Sequence, residues 1–329
     1  MKIGRVIGAS VIVAIAIPTV IGIALTGHSA NGNSGSAASG LSSPAPRGDS
    51  KLMRSGPCGE PAALPKHYIG FITARFPYNL REWSRLAVLT RVRPDIGVYY
   101  VPFGAPFNSG LACQVERMGV LPLLQIDLSH TSVAAIADGQ YRDYLSHFAE
   151  AVKGMKARVA ISVGHEMNGD WYPWGWHHVP AATFVRAWRV IHDSFTRIGA
   201  KNVIWVWTVN RDIATATNPD PWWPGASYVN WVGVDAHYVN PTDTFTAVFG
   251  NTIRAVRRVT SDPILVAETA IKPGPEQPRQ LANLYQTTFT SSGLLGFVWF
   301  NRNSRFDWKL EGRAKTLAVF RLEARRYPA

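Results

Sequence analysis

Three features of the sequence predict an α/β fold, a closed (β/α)8 TIM barrel of parallel strands. Eight short apolar runs rich in β-formers recur at intervals of about 24 to 45 residues. Between them lie stretches with helical periodicity, the alternation expected of parallel βαβ units. The segment holding both, residues 65–329, is roughly 265 residues long, close to the usual size of such a barrel. A doubly wound open sheet is the structural rival, but no Gly-rich phosphate loop follows the first run, which removes its commonest use.

Taken in order, Met1-Lys2-Ile3-Gly4-Arg5 is basic and Val6–Thr26 follows without a charge. Residues 1–26 read as an uncleaved signal-anchor, long enough to span a bilayer with its basic end on the cytoplasmic side, or as a cleavable signal peptide. Both readings make the rest of the chain extracellular, tethered to the membrane at the cell surface or secreted. Residues 27–64, rich in Ser, Gly, Ala, Asn and Pro, read as a disordered linker that cannot bury a core. Cys58 and Cys113 are the only cysteines. In an exported protein they can close one disulfide, the favoured reading, or stand as two unrelated thiols.

The eight expected strands are Tyr68–Thr73, Ile96–Phe103, Val120–Leu128, Ala157–Gly164, Val203–Val209, Trp231–Ala236, Ile264–Ala267 and Leu294–Phe300. Several are apolar almost throughout, as suits parallel strands buried on both faces. Over residues 142–155 a helical period links Tyr144, Leu145, Phe148, Ala151, Val152 and Met155. Over 180–198 it links Phe184, Trp188, Ile191, Phe195 and Ile198, with Pro180 near the start and Gly199 just past the end, both in their preferred places. Trp188, Trp205 and Trp207 fall in helix or strand bodies and are assigned to the core.

The formal net charge is +12. Its Lys and Arg are scattered, with the doublets Arg257-Arg258 and Arg325-Arg326 on outer helix faces, not gathered into the stripe that nucleic-acid recognition needs. A solvated basic surface on a monomer is expected, with attraction to an anionic polymer as the lesser reading.

Barrels of this kind gather their chemistry at the C-terminal ends of the strands. The fourth strand runs out into Gly164-His165-Glu166-Met167-Asn168-Gly169-Asp170-Trp171-Tyr172-Pro173-Trp174-Gly175, and the seventh ends in Ala267-Glu268-Thr269. Two carboxylates on one rim are what glycosidic cleavage requires. In the retaining mechanism one protonates the leaving oxygen while the other attacks the anomeric carbon, the pair standing about 5–5.5 Å apart. Glu166 as the acid needs a raised pKa, and Glu268 as the nucleophile must be ionised. A zinc-protease reading of His165-Glu166 fails because Gly169 stands where the second His would be. No metal and no cofactor are expected.

The run from His165 to Gly175 resembles the acid/base motif of glycoside hydrolase family 26, the β-mannanase family, and Ala267-Glu268-Thr269 resembles its nucleophile strand. Weaker likenesses extend through Val206–Asn210, Trp231–Asp235 and Phe297–Asn301 to Asp307-Trp308. The resemblance implies retention of configuration, Glu166 as acid/base, Glu268 as nucleophile, and β-1,4-mannan as the commonest substrate. Two positions depart from it. Ser162 stands where many members carry Arg, and Asp235-Ala236-His237-Tyr238 leaves either His237 or Tyr238 to take the role of a nucleophile-bonding Tyr.

Candidate sugar-binding residues are His165, Asn168, Trp171, Trp174, Asn210, His237, Tyr238 and Trp299. Trp171 and Trp299 are the leading stacking platforms, with Trp176, Trp222 and Trp223 as further candidates. Loop anchoring is the competing role for all these indoles. Asn210 and Asp127, at strand ends, either bind a sugar hydroxyl or satisfy loop amides. The sequence thus points to a retaining endo-β-glycosidase acting on a β-linked polysaccharide, β-1,4-mannan first. The alternatives are a β-glucanase, a xylanase, or a non-catalytic carbohydrate-binding surface barrel.

Overall fold

The computed structural model describes residue 58, residues 63–211 and residues 215–328. The expected membrane segment and nearly all of the linker lie outside the described residues. Among the described residues no helix is long and apolar enough to cross a membrane.

Eight strands form a closed, all-parallel barrel in sequence order. They are β1 (Tyr68–Ile72), β2 (Ile96–Pro102), β3 (Leu121–Asp127), β4 (Val159–Val163), β5 (Val203–Asn210), β6 (Trp231–Asp235), β7 (Ile264–Thr269) and β8 (Leu294–Phe300). Pairing of β8 with β1, from Tyr68↔Gly296 to Ile72↔Phe300, closes the ring. The helices are α1 (Arg81–Thr90), α2 (Ser109–Arg117), α3 (Val133–Ala137), α4 (Arg142–Met155), α5 (Ala181–Ile198), α6 (Phe245–Val259), α7 (Gln277–Thr290) and α8 (Ala314–Arg326).

The outer layer departs from strict alternation. Two helices, α3 and α4, separate β3 from β4, whereas β5 and β6 are joined, among the described residues, only by 3-10 turns at Asp220–Trp222 and Ala226–Tyr228. Helix α5 ends where the sequence places its stop. Gly199 turns left-handed at φ +76°, and the amides of Gly199 and Ala200 bond the Thr196 and Phe195 carbonyls, which satisfies the last turn at no Cβ cost. Cys58 and Cys113 form a disulfide, with 5.3 Å between their Cα atoms, tying the start of the described chain to α2.

Strand side chains alternate between the lumen and the helix layer. On β2, Tyr99 lies beside Phe76, which stacks on Trp83 of α1, while Tyr100 reaches Glu268 on the far side of the barrel. Trp188, Trp205 and Trp207 are all buried, as assigned. At the β8 seam, Phe320 of α8 is fully buried against Tyr285, Phe297, Phe71 and Trp299, with ring centroids 5.2 to 6.4 Å away. Truncating it removes packing from α7, α8, β1 and β8 together. Phe320→Ala is expected to lower the unfolding free energy by about 3–5 kcal/mol, read by urea denaturation; a loss below roughly 1 kcal/mol would show that α8 does not seal the barrel.

Candidate active site

The polar residues at the strand tips converge on one opening. Asp127, Asn210 and Asp235 end β3, β5 and β6, Glu268 stands one residue inside the end of β7, and Glu166 follows β4. The backbone at Glu166 is left-handed, with φ +55°, a conformation that costs a non-glycine residue energy and persists only where the surroundings enforce it. Here the Glu166 amide donates to the Thr208 carbonyl of β5, and its own carbonyl accepts from Gly169, both at 2.9 Å.

The Glu166 side chain is held from two sides. Trp171 Nε1 donates to Oε2 at 2.8 Å, and Asn210 Nδ2 donates to Oε1 at 2.6 Å. Burial raises the Glu166 pKa, and these two donors oppose the rise. Glu268 accepts a hydrogen bond from the Tyr100 hydroxyl at 3.0 Å. Burial and the charge of Glu166 push its pKa up to about 8, opposed by Tyr100 and Arg302. The two carboxyls therefore feel one another, and protons leave the pair as a pair.

A β-bulge helps aim Glu268. The β6–β7 register shifts between Gly233 and Asp235, so that Asp235 pairs with Glu268, and bulges of this sort re-aim side chains beside active sites. Asp235 is a third buried carboxyl in the same opening. Burial first, then the charges of Glu166 and Glu268, raise its pKa, while a hydrogen bond from the Glu268 backbone lowers it. Its Oδ1 has no hydrogen-bond partner among the described residues.

Neither residue left open after β6 hydrogen-bonds Glu268, the role that Tyr100 fills from β2. His237 Nε2 has no hydrogen-bond partner among the described residues and lies 3.7 Å from Glu268 Oε1, whereas Tyr238 is fully buried and turned toward Phe249 of α6. Burial and the charge of Arg211 lower the His237 pKa to about 3, so at neutral pH the ring is uncharged and the contact is not an ion pair. His165 is likewise neutral, its pKa lowered to about 4 by burial, with Nε2 3.1 Å from the Tyr172 hydroxyl.

Several expected sugar-binding residues are committed elsewhere. Asn168 is fully buried. Its Nδ2 donates to the Asn210 and Thr217 carbonyls, and its Oδ1 accepts from the Asn210 amide, so it latches the loop to β5. Trp174 is also fully buried; it stacks on Tyr172 at 4.3 Å and donates to the His165 carbonyl. Trp299 shares the outward parity of Phe297, packs toward Phe320 and donates to the Trp308 carbonyl. Trp222 is buried, while Trp176 and Trp223 are half-buried. Trp171, His165, Asn210 and His237 are the candidates that the fold brings to the carboxyls. Asp127 Oδ1 accepts from the Ser129 amide, the loop-satisfying role, and its Oδ2 is buried without a partner among the described residues. At the departing position, the Ser162 hydroxyl donates to Thr208 Oγ1 at 2.8 Å.

Sequence reading missed Tyr100 and Asp235 as members of this site. The signal for both was parity: each is a polar lumen-facing residue at the upper end of its strand. The loop after β4 also requires two glycines. A Cβ on Gly175 would run into the Gly169 carbonyl, and one on Gly169 into the Trp171 indole, so the turn that presents Trp171 to Glu166 closes only without those side chains.

Comparison with known proteins agrees with this geometry. The model for glycosyl hydrolase family 26 matches residues 129–271, which span the loops and strands carrying Glu166 and Glu268. This segment belongs to glycosyl hydrolase family 26. The chain is 30% identical over 200 residues to endoglucanase H of Acetivibrio thermocellus, covering 56% of this chain and 22% of that protein. It is 30% identical over 146 residues to mannan endo-1,4-beta-mannosidase A and B of Caldalkalibacillus mannanilyticus, covering 41% of this chain and 27% of that protein. The chain thus aligns with about a quarter of the length of either relative. Among solved structures, a family 26 β-mannanase from Bacteroides ovatus has a TM-score of 0.56 at 13% identity, covering 79% of this chain and 88% of that one. GH26A of Muricauda sp. MAR_2010_75 gives 0.55 at 17%, covering 80% and 90%. At these identities the structures speak for the fold.

The raised carboxyls fix a pH dependence. In the window from its ordinary 4.5 to about 8, Glu268 holds more proton in the folded barrel than in the unfolded chain. Its contribution to stability is therefore expected to fall as pH rises through that window, while the lowered pKa values of His165 and His237 act in the opposite sense below their ordinary 6.5. Glu268→Gln should flatten the slope in urea titrations between pH 5 and pH 8; an unchanged slope would mean that Glu268 is not held above its ordinary value.

Proposed function

We propose that the barrel is a retaining endo-β-glycosidase that hydrolyses a β-linked polysaccharide, with β-1,4-mannan as the leading substrate. The observation that carries this reading is the pairing of Glu166 and Glu268 in one desolvated opening, each within electrostatic reach of the other. The family match and the mannosidase relatives support it.

Burial raises Glu268 as well as Glu166, against the expectation of a freely ionised nucleophile, so the reactive form is the one in which the pair's proton sits on Glu166. In the first step, a Glu268 carboxylate oxygen then attacks the anomeric carbon. The glycosidic bond breaks as the Glu166 carboxyl hands its proton to the leaving oxygen, and a glycosyl ester forms on Glu268. In the second step, Glu166, now a carboxylate, takes a proton from water. The water oxygen displaces Glu268, and the sugar leaves with its original configuration. Asn210 and Trp171 hold Glu166 in place, and Tyr100 orients Glu268 by donating to the oxygen that does not attack. Trp171, half-buried beside the acid, is the residue proposed to stack on a sugar ring. His165, neutral and packed under the loop, positions it through Tyr172. Residues 1–26 and 27–64 are proposed to tether this domain outside the membrane, supported by the uncharged run 6–26.

A β-glucan backbone is the second reading, favoured by the likeness to endoglucanase H. A panel of purified mannan, mixed-linkage glucan and xylan, with reducing ends counted and product anomers followed by proton NMR, separates them. Binding without cleavage of any of the three would overturn the hydrolase reading in favour of a lectin.

The assigned roles predict different defects. Glu166→Gln should cut turnover of polymer by at least about a hundredfold, while glycosylation from an aryl glycoside with a very good leaving group survives. Glu268→Ala should abolish retaining cleavage, and added azide should give a product of inverted configuration. Tyr100→Phe should lower kcat/KM roughly ten- to hundredfold through loss of one charge-assisted hydrogen bond. Small and similar losses in all three variants would count against the assignment.

A further inference from the structure

The loops after β7 and β8 gather cations beside Glu268 that enter no side-chain ion pair among the described residues. Lys272 Nζ lies 4.9 Å from the centroid of the Phe306 ring, and the Arg305 guanidinium carbon lies 5.2 Å from the same centroid. Arg302 stands over Phe300 at 5.8 Å. The two rings belong to the wall of the opening. Phe306 meets Trp308 edge-on at 5.0 Å, Trp308 lies 4.7 Å from His237, and Phe300 meets His237 edge-on at 5.6 Å. His237 in turn neighbours Glu268, and the charge of Arg302 is felt there.

None of the ion pairs among the described residues includes Lys272, Arg302 or Arg305. The nearby acids are engaged elsewhere: Asp307 with Arg313 at 3.0 Å, Glu276 with Arg279 at 2.7 Å, and Glu311 with the Asn301 amide at 3.0 Å. Two like charges on one aromatic ring repel, and the ring's quadrupole offsets only part of that repulsion. An anion arriving at this wall offsets the rest. A neutral sugar chain offers nothing of the kind; a carboxylate does, and a guanidinium matches it through paired donors.

We propose that the wall formed by Lys272 and Arg305 on Phe306 and Arg302 on Phe300 receives a carboxylate carried by the glycan, so that the substrate class is a β-glycan bearing acidic substituents. This rests on the glycosidase reading above. It assigns the excess positive charge at this rim to substrate selection.

The test uses glucomannan before and after partial oxidation of its C6 hydroxyls to carboxylates, so that one backbone is compared with and without charge. The Kd of each polymer is measured by affinity electrophoresis and its cleavage by reducing ends. The protein is expected to bind the oxidised polymer roughly fivefold or more tightly at low salt, the preference shrinking as salt screens exposed charges. In Lys272→Gln/Arg305→Gln the ratio of the two Kd values should fall to about one. Equal binding of the two polymers, or a ratio unchanged in the double variant, overturns the proposal. Selective binding of the oxidised polymer with no cleavage of either would sustain the anion-binding wall and overturn the hydrolase reading instead.

Discussion

The site depends on the desolvation of three carboxyls by one barrel mouth. Glu166, Glu268 and Asp235 are each raised by burial before any other cause, and a closed parallel barrel is what makes such burial attainable. Its lumen is filled by strand side chains, so water reaches the carboxyls from the loop side alone. Crowding then does the rest, since like charges in a poor dielectric cannot all ionise. The outcome is a group of acids that together retain protons near neutral pH, which is the condition acid catalysis needs.

The donors around the carboxyls divide the work between them. Glu166 accepts two neutral N–H donors, from Trp171 and Asn210, while Glu268 accepts a phenolic hydroxyl and feels a guanidinium charge. Both arrangements favour the ionised form, and burial opposes it at both. The two carboxyls therefore titrate as a pair, and a proton held by one is felt by the other. The two neighbouring imidazoles do not compete for it, because burial keeps His165 and His237 uncharged.

Most of the fold was legible because its signal is local. All eight strands fall within two residues of the runs read from sequence, since parallel strands buried on both faces are written as unbroken apolar runs. The carboxyl pair was legible for the same reason: Glu166 and Glu268 follow directly on such runs. What could not be read was direction. Trp299 and Tyr238 looked like rim residues, yet a side chain one position along a strand faces the opposite layer, and the bulges in the β6–β7 and β7–β8 registers break any parity counted from a distant residue. Asn168 and Trp174 were misjudged for a different reason. A loop that must present Glu166 in a left-handed turn has to satisfy its own amides and fill its own underside, and these residues in the motif do so.

That division explains why the loop after β4 is so aromatic. Tyr172 and Trp174, stacked at 4.3 Å and 8°, pack against His165, and only Trp171 is turned to meet Glu166. The crossover after β5 lies beside this loop and lacks an α-helix among the described residues. Asp170 and Thr217 exchange backbone hydrogen bonds across it with Thr215 and Asn168, so the strained residue is braced by a neighbouring loop where a helix would ordinarily stand. The same economy of support holds at the opposite rim, where Trp308 both roofs His237 and joins it to the cationic wall. One rim braces Glu166 and the other surrounds Glu268, so the two carboxyls are held by separate sets of loops on opposite sides of one mouth.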